Sequence, residues 1–198
     1  MTTRCFEFAA TQTNWVATTP TSVNVTLAAG DDTTVSFGNL CLGGGGGLTL
    51  GFWSNKNGQA LFGGDDLLLM TILNLRNGNG TDFDPASYAK FRSWILGASA
   101  TNMAYMLSAQ LAAMELNVNN GLVGAGALIY APGTASANAL GFATVGAVMA
   151  EANAALGANG YTVAAGTDRT RQEALKNALD RANNNLNFVQ AGPCAFAF

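Results

Sequence analysis

The sequence predicts an α+β protein. A small N-terminal antiparallel β segment, an incomplete sandwich, is linked by polyglycine to an α-helical domain and followed by a C-terminal strand. Three observations predict this. Polar and apolar residues alternate with period 2 in stretches of 22–37. An unbroken glycine run, Gly43 to Gly47, comes next. Beyond it the apolar period becomes 3.6, the spacing of a helix face. The expected organisation is a β segment at 1–42, a glycine linker at 43–48, a helical domain at 49–191 and a strand at 192–198.

The β segment rests on three short runs. Cys5-Phe6-Glu7-Phe8 is β-prone, Ser22 to Leu27 alternates, and Thr33 to Phe37 alternates again after the turn residues Ala29-Gly30-Asp31-Asp32. Residues 22–37 therefore read as a β-hairpin. So few strands make a thin sheet that needs a partner for its apolar face and edges. Gly43 to Gly47 reads as a flexible linker. It is not a phosphate loop, because no Lys-Ser/Thr follows at the required spacing.

Five helical stretches follow. Asp65 or Asp66 caps a helix through Leu67 to Leu73 that stops near Asn77-Gly78, and Asp84-Pro85 starts another over about 85–96. Met103, Met106, Leu107, Gln110, Leu111 and Met114 fall on one face of a third, which stops at Asn119-Asn120-Gly121. Phe142, Val145, Met149, Ala152 and Leu156 mark a fourth, ended by Gly157. Thr170-x-x-Glu173 is a capping box opening a fifth, through Leu175, Leu179, Ala182 and Leu186, stopped by Pro193. The tail, Cys194-Ala195-Phe196-Ala197-Phe198, alternates as a strand does. It either closes its own sheet or pairs with the next subunit, a head-to-tail contact that propagates into a filament.

Composition narrows the function. The 198 residues carry 9 Lys+Arg against 12 Asp+Glu, a net charge of −3, so no basic face awaits nucleic acid. There is no histidine, which excludes a Ser-His-Asp triad and His-ligated zinc. No apolar run is long enough for a membrane span. No catalytic constellation emerges, and no enzyme activity is expected. From Ser93 to Thr167 the only charges are Glu115 and Glu151, which suggests a surface that meets other protein.

The candidate site residues are few. Cys5, Cys41 and Cys194 offer one intrachain disulfide and one thiol over, with Cys5–Cys41, Cys41–Cys194 and an intersubunit Cys5–Cys194 bond all open. Asn77, Asn79, Thr81, Asp82 and Asp84 alternate with glycines in a spacing that wraps a hard cation such as Ca²⁺. The competing reading of that segment is a turn plus a helix cap at Asp84. Trp15, Trp53 and Trp94 are candidates for a carbohydrate platform, with core packing as the alternative. Cys5, Phe6, Phe8, Cys194, Phe196 and Phe198 are the expected assembly residues.

Two groups of residues carry a resemblance. Asn14-Trp15, Val23 to Leu27, Ala28 to Asp32 and Val35 to Leu40 resemble the closing strands of the SdrD B-like (prealbumin-like) repeat of bacterial surface proteins. LTLGFWSNKNG (48–58), QLAAMELNVNNG (110–121) and QEALKNALDRANNN (172–185) resemble an uncharacterised helical domain that follows such repeats in secreted bacterial proteins. Related sequences often carry Gly-Tyr/Phe-Trp-Lys-Asn-His where this chain has Gly51-Phe52-Trp53-Ser54-Asn55-Lys56. The resemblance implies export, a cell-surface or matrix location and a structural role. No leader pattern precedes the first strand, so an exported form is expected to have lost a leader or upstream domains. The expectation is an extracellular protein that self-assembles into a filament or matrix polymer by strand donation, with an adhesin or carbohydrate-binding module as the alternative.

Overall fold

The computed structural model describes residues 2–7 and 14–192. In chain order the elements are β1 (Thr2–Glu7), β2 (Trp15–Ala17), β3 (Ser22–Leu27), β4 (Asn39–Gly43), α1 (Leu50–Trp53), α2 (Lys56–Leu61), α3 (Gly64–Thr71) and α4 (Tyr88–Leu96). Then come α5 (Met103–Asn119), β5 (Leu128–Tyr130), β6 (Phe142–Thr144), α6 (Val145–Ala158), α7 (Thr167–Asn183) and β7 (Phe188–Val189). The fold is α+β, and every strand pair is antiparallel.

β3 alternates as expected: Ser22, Asn24 and Thr26 are exposed, while Val23, Val25 and Leu27 are half-buried. Its partner corrects the hairpin reading. β3 pairs with β1, Phe6 opposite Val23 and Thr2 opposite Leu27, and residues 33–37 form no strand. The turn itself is present: Ala28 O accepts from Asp31 N–H at 3.2 Å, and Asp31 Oδ2 accepts from Ala28 N–H at 2.8 Å. The chain then leaves this ladder, and β4 joins a second sheet of order β2-β4-β7-β5-β6.

That second sheet crosses the expected domain boundary, because β2 and β4 come from the β segment and β5, β6 and β7 from the helical part. The glycine run is accordingly a packed segment rather than a flexible linker. Asn185 Oδ1 accepts from the N–H groups of Gly45, Gly46 and Gly47 at 3.0, 2.9 and 2.9 Å, and its Nδ2 donates to Gly47 O at 2.6 Å. Gly46 sits at φ +92, where a side chain is strained. A Cβ on Gly47 would overlap Ala182 O. Glycine is there for close backbone approach.

α5 is the hub of the helical body. It packs on α7, α6, α1 and α3, and 13 of its 17 residues are buried, Leu107, Leu111, Met114 and Leu116 among them. The part of the weakly charged stretch that forms α5 is therefore interior, and its lack of charge needs no partner surface. Polar side chains around α5 are paired with one another and with the backbone. Asn117 Oδ1 accepts from Trp53 Nε1 and Leu48 N–H, both at 3.1 Å, and Asn117 Nδ2 donates to Leu48 O and Asn183 Oδ1. Such pairing removes most of the cost of burying an amide.

Several helix boundaries move. α4 begins after Ser87, whose Oγ accepts from Lys90 N–H, so Asp84 does not cap it. α7 begins after Gly166, which places Thr170 and Glu173 inside the helix rather than at its start. It ends at Asn183, ten residues before Pro193, and Asn185 adopts φ 59 just beyond it. Phe142 belongs to β6, and Thr144 caps α6 by accepting from Ala147 N–H.

Candidate functional site

The amphipathic character of α7 creates the site. Gln172, Leu175, Ala178, Leu179, Ala182 and Asn183 face the core. Thr170, Glu173, Asn177 and Arg181, at i, i+3, i+7 and i+11, lie on another side of the same helix and are exposed. They form one wall of a cleft of about 540 Å³. The opposite wall comes from the five-stranded sheet and its loops: Trp15 and Val16 of β2, Leu42 of β4, Tyr130 of β5, and Pro132.

Asn187 sets the spacing of the two walls. Its Nδ2 donates to Tyr130 O at 2.9 Å and to Ala178 O at 3.0 Å, and its own carbonyl accepts from Tyr130 N–H at 2.9 Å. One buried amide thus ties β5 to α7. The Tyr130 ring is braced by Phe142, with centroids 5.4 Å apart. The cleft is balanced in charge, with the Glu173 carboxylate and the Arg181 guanidinium on one helix. Among the described residues, the side chains of Thr170, Glu173 and Asn177 make no hydrogen bond. The wall therefore presents a hydroxyl, a carboxylate, an amide and a guanidinium to whatever enters. Among the described residues, nothing in the cleft pairs a nucleophile with a base.

A second depression, bordered by Tyr161, Thr162 and Gly166 to Arg169, is of similar volume. Its one cation is spent on the fold: Arg169 donates to the carbonyls of Thr162, Thr101 and Ala100 at 2.6, 3.2 and 2.8 Å.

The structure disperses the other candidate residues. Of the three tryptophans, only Trp15 reaches the cleft. Trp53 is fully buried, and Trp94 is stacked on Phe83 at 4.3 Å with its Nε1 donating to Arg76 O. The expected Ca²⁺ loop closes on itself. Asn77 Nδ2 donates to Thr81 Oγ1 and Asp82 O, Thr81 Oγ1 donates to Asn79 Oδ1, and Asp82 pairs with Arg76, while Asp84 is exposed. Asn79 Oδ1, Thr81 Oγ1 and one Asp82 carboxylate oxygen are thus engaged by other groups of the protein. Among the described residues, no group of three or more His, Cys, Asp or Glu is placed to hold a metal ion.

Cys5 lies exposed on β1 with Sγ 3.4 Å from Ser22 Oγ, and Cys41 is buried on β4 opposite Trp15. Phe6 belongs to β1, whereas Phe8, Cys194, Phe196 and Phe198 lie outside the described residues.

Two carboxyls have shifted acidity. Burial pushes Glu115 on α5 up to about 7. Burial also raises Glu151, but hydrogen bonds from Ser136, Ala135 and Arg171 outweigh it and hold that carboxyl below its ordinary value. No helix among the described residues is long and apolar enough to cross a membrane.

Comparison with known proteins gives no relative. No family model, curated protein or solved structure matches the chain.

Sequence reasoning found Trp15 but missed Tyr130 and the row on α7. The spacing of Glu173, Asn177 and Arg181 was a readable signal, since it falls on a different face from Leu175 and Leu179. Their meeting with Trp15, more than 150 residues away in sequence, was not readable.

Proposed function

We propose that the protein is a non-enzymatic structural protein of the bacterial cell exterior that assembles with copies of itself, each subunit receiving a strand from its neighbour on the β1–β3 sheet. One observation carries this reading. Among the described residues β1 and β3 form a sheet of two strands only, with Val23, Val25 and Leu27 half-buried. A two-stranded sheet is marginal in water, and its open edges are templates for another strand. Residues 195–198 are the proposed donor. Their alternation of Ala with Phe196 and Phe198 matches the period of the Val23, Val25, Leu27 face. The weakly charged surface loops and the resemblance to surface-protein repeats support the same reading.

Cys41 and Cys194 are the disulfide this reading favours. Gln190 N–H donates to Cys41 O at 3.0 Å, and Cys194 follows four residues later. Such a bond anchors the base of the tail beside β4 and leaves Ala195 to Phe198 as the donor, about 13 Å when extended.

The test is light scattering after gel filtration, with negative-stain electron microscopy, on the full chain and on a chain lacking 195–198. Large assemblies from the full chain and monomers from the shortened one are expected. A full chain that stays monomeric at high concentration, or a shortened chain that assembles equally well, overturns the proposal. Non-reducing peptide mapping is expected to recover a Cys41–Cys194 peptide.

A further inference from the structure

We infer that the cleft between α7 and the five-stranded sheet binds a neutral oligosaccharide. This goes beyond the assembly reading and does not depend on it. Trp15 and Tyr130 are half-buried aromatic side chains on the sheet side, with Val16, Leu42 and Pro132 completing an apolar surface. A sugar ring has apolar C–H faces, and aromatic side chains with one apolar and one polar end suit such amphipathic partners. Across the cleft stand Thr170, Glu173, Asn177 and Arg181. Sugar hydroxyls donate and accept, as this row does: the carboxylate accepts, the guanidinium donates, and the hydroxyl and amide do both.

The row spans eleven residues of helix, about 16 Å at 1.5 Å per residue. Three of its four side chains have no hydrogen bond to give up among the described residues, so binding would not dismantle the fold. Arg181 gives only one long contact, Nη2 to Leu186 O at 3.4 Å.

Charge selects among ligand classes. One acid and one base on the wall cancel, which disfavours a polyanion and a polycation alike. The cleft is about 540 Å³, within the range of small-ligand sites, and it mixes an apolar surface with a few convergent polar groups. A peptide strand is the competing occupant. Peptide binding by strand addition needs a free sheet edge. Leu42 and Tyr130 come from the interior strands β4 and β5, and Trp15 and Val16 from β2, an edge strand among the described residues, so the cleft runs over the sheet's face up to that edge and a peptide strand is kept as the competing ligand in the test.

The experiment is isothermal titration of the full chain with hexasaccharides of β-1,4-linked glucose and of β-1,4-linked N-acetylglucosamine, each to about 10 mM, with intrinsic tryptophan fluorescence read in parallel. A synthetic peptide of residues 192–198 is titrated as the competing ligand. Saturable binding of at least one sugar is expected, with a change in tryptophan emission. Asn177→Ala and Glu173→Gln, both exposed, should keep the circular dichroism spectrum and Tm of the parent and weaken binding about tenfold each. Trp15→Ala should abolish it. No heat and no emission change with either sugar overturns the inference. So does sugar binding that Asn177→Ala and Glu173→Gln leave intact, or saturable binding of the peptide alone.

Discussion

α5 and α7 are each 17 residues long and pack against one another, yet their sequences differ sharply. α5 carries a single charge, Glu115, and is enclosed by four other helices. α7 carries seven charges and is buried along one side only. A run with one charge proved to be the middle of the molecule, while a charged run supplied a wall of the cleft. Absence of charge marks a segment that avoids water, and it does not say whether the shield is the chain's own helices or another subunit.

The comparison can be broken with core and surface variants of the two helices. Leu111→Ala, at a fully buried α5 position, should cost about 3 kcal/mol in urea unfolding. Asn177→Ala, on the exposed side of α7, should change stability by less than about 0.5 kcal/mol. Equal costs would mean that α7 is not a one-sided helix. Gly47→Ala should cost about 2 kcal/mol, because its new methyl meets the carbonyl of Ala182 at the end of α7. A neutral result there would restore the flexible-linker reading of the glycine run.

The two acids outside the cleft sharpen the contrast through pH. Glu115 has its carboxyl raised from 4.5 to about 7, so the folded state holds a proton that the unfolded chain releases earlier. Its favourable contribution is complete below pH 4.5 and is lost as pH rises through about 7. Glu115→Gln should therefore stabilise the protein above about pH 8, by about 2 kcal/mol after allowance for partial solvent access, and have little effect in acid. Glu151 runs the other way. Its lowered carboxyl contributes above its unfolded value, and that contribution fades as pH falls through the folded value. Glu151→Gln should cost about 1 kcal/mol at neutral pH and progressively less in acid. Thermal melts of both variants across this range check the opposite signs.

What the sequence disclosed follows from what is local. The alternation of Ser22 to Leu27 and the apolar side of α7 depend on neighbours within a few residues, and they were legible, whereas the single face expected for α5 was too narrow, because the helix is buried nearly all round and Met106 is only half-buried. The partner of β3 was not, because Thr33 to Phe37 satisfies the same alternation as a true strand and only the tertiary ladder with β1 decides between them. The Gly43 to Gly47 run misled for a related reason. Glycines permit flexibility, but they also permit contact, and the deciding group, Asn185, lies about 140 residues away. In the Asn77 to Asp84 segment the right atoms were present, but the sequence does not show that they would bond to one another.

The five-stranded sheet places the last strand of the described chain, β7, between β4 and β5. Synthesis proceeds from the N-terminus, so the β2–β4 and β5–β6 pairs can be joined only once residues 188–189 have been made. The barrier to folding should therefore include the entropy of bringing distant strands together, and the unjoined edges should be the species most prone to aggregate during slow refolding.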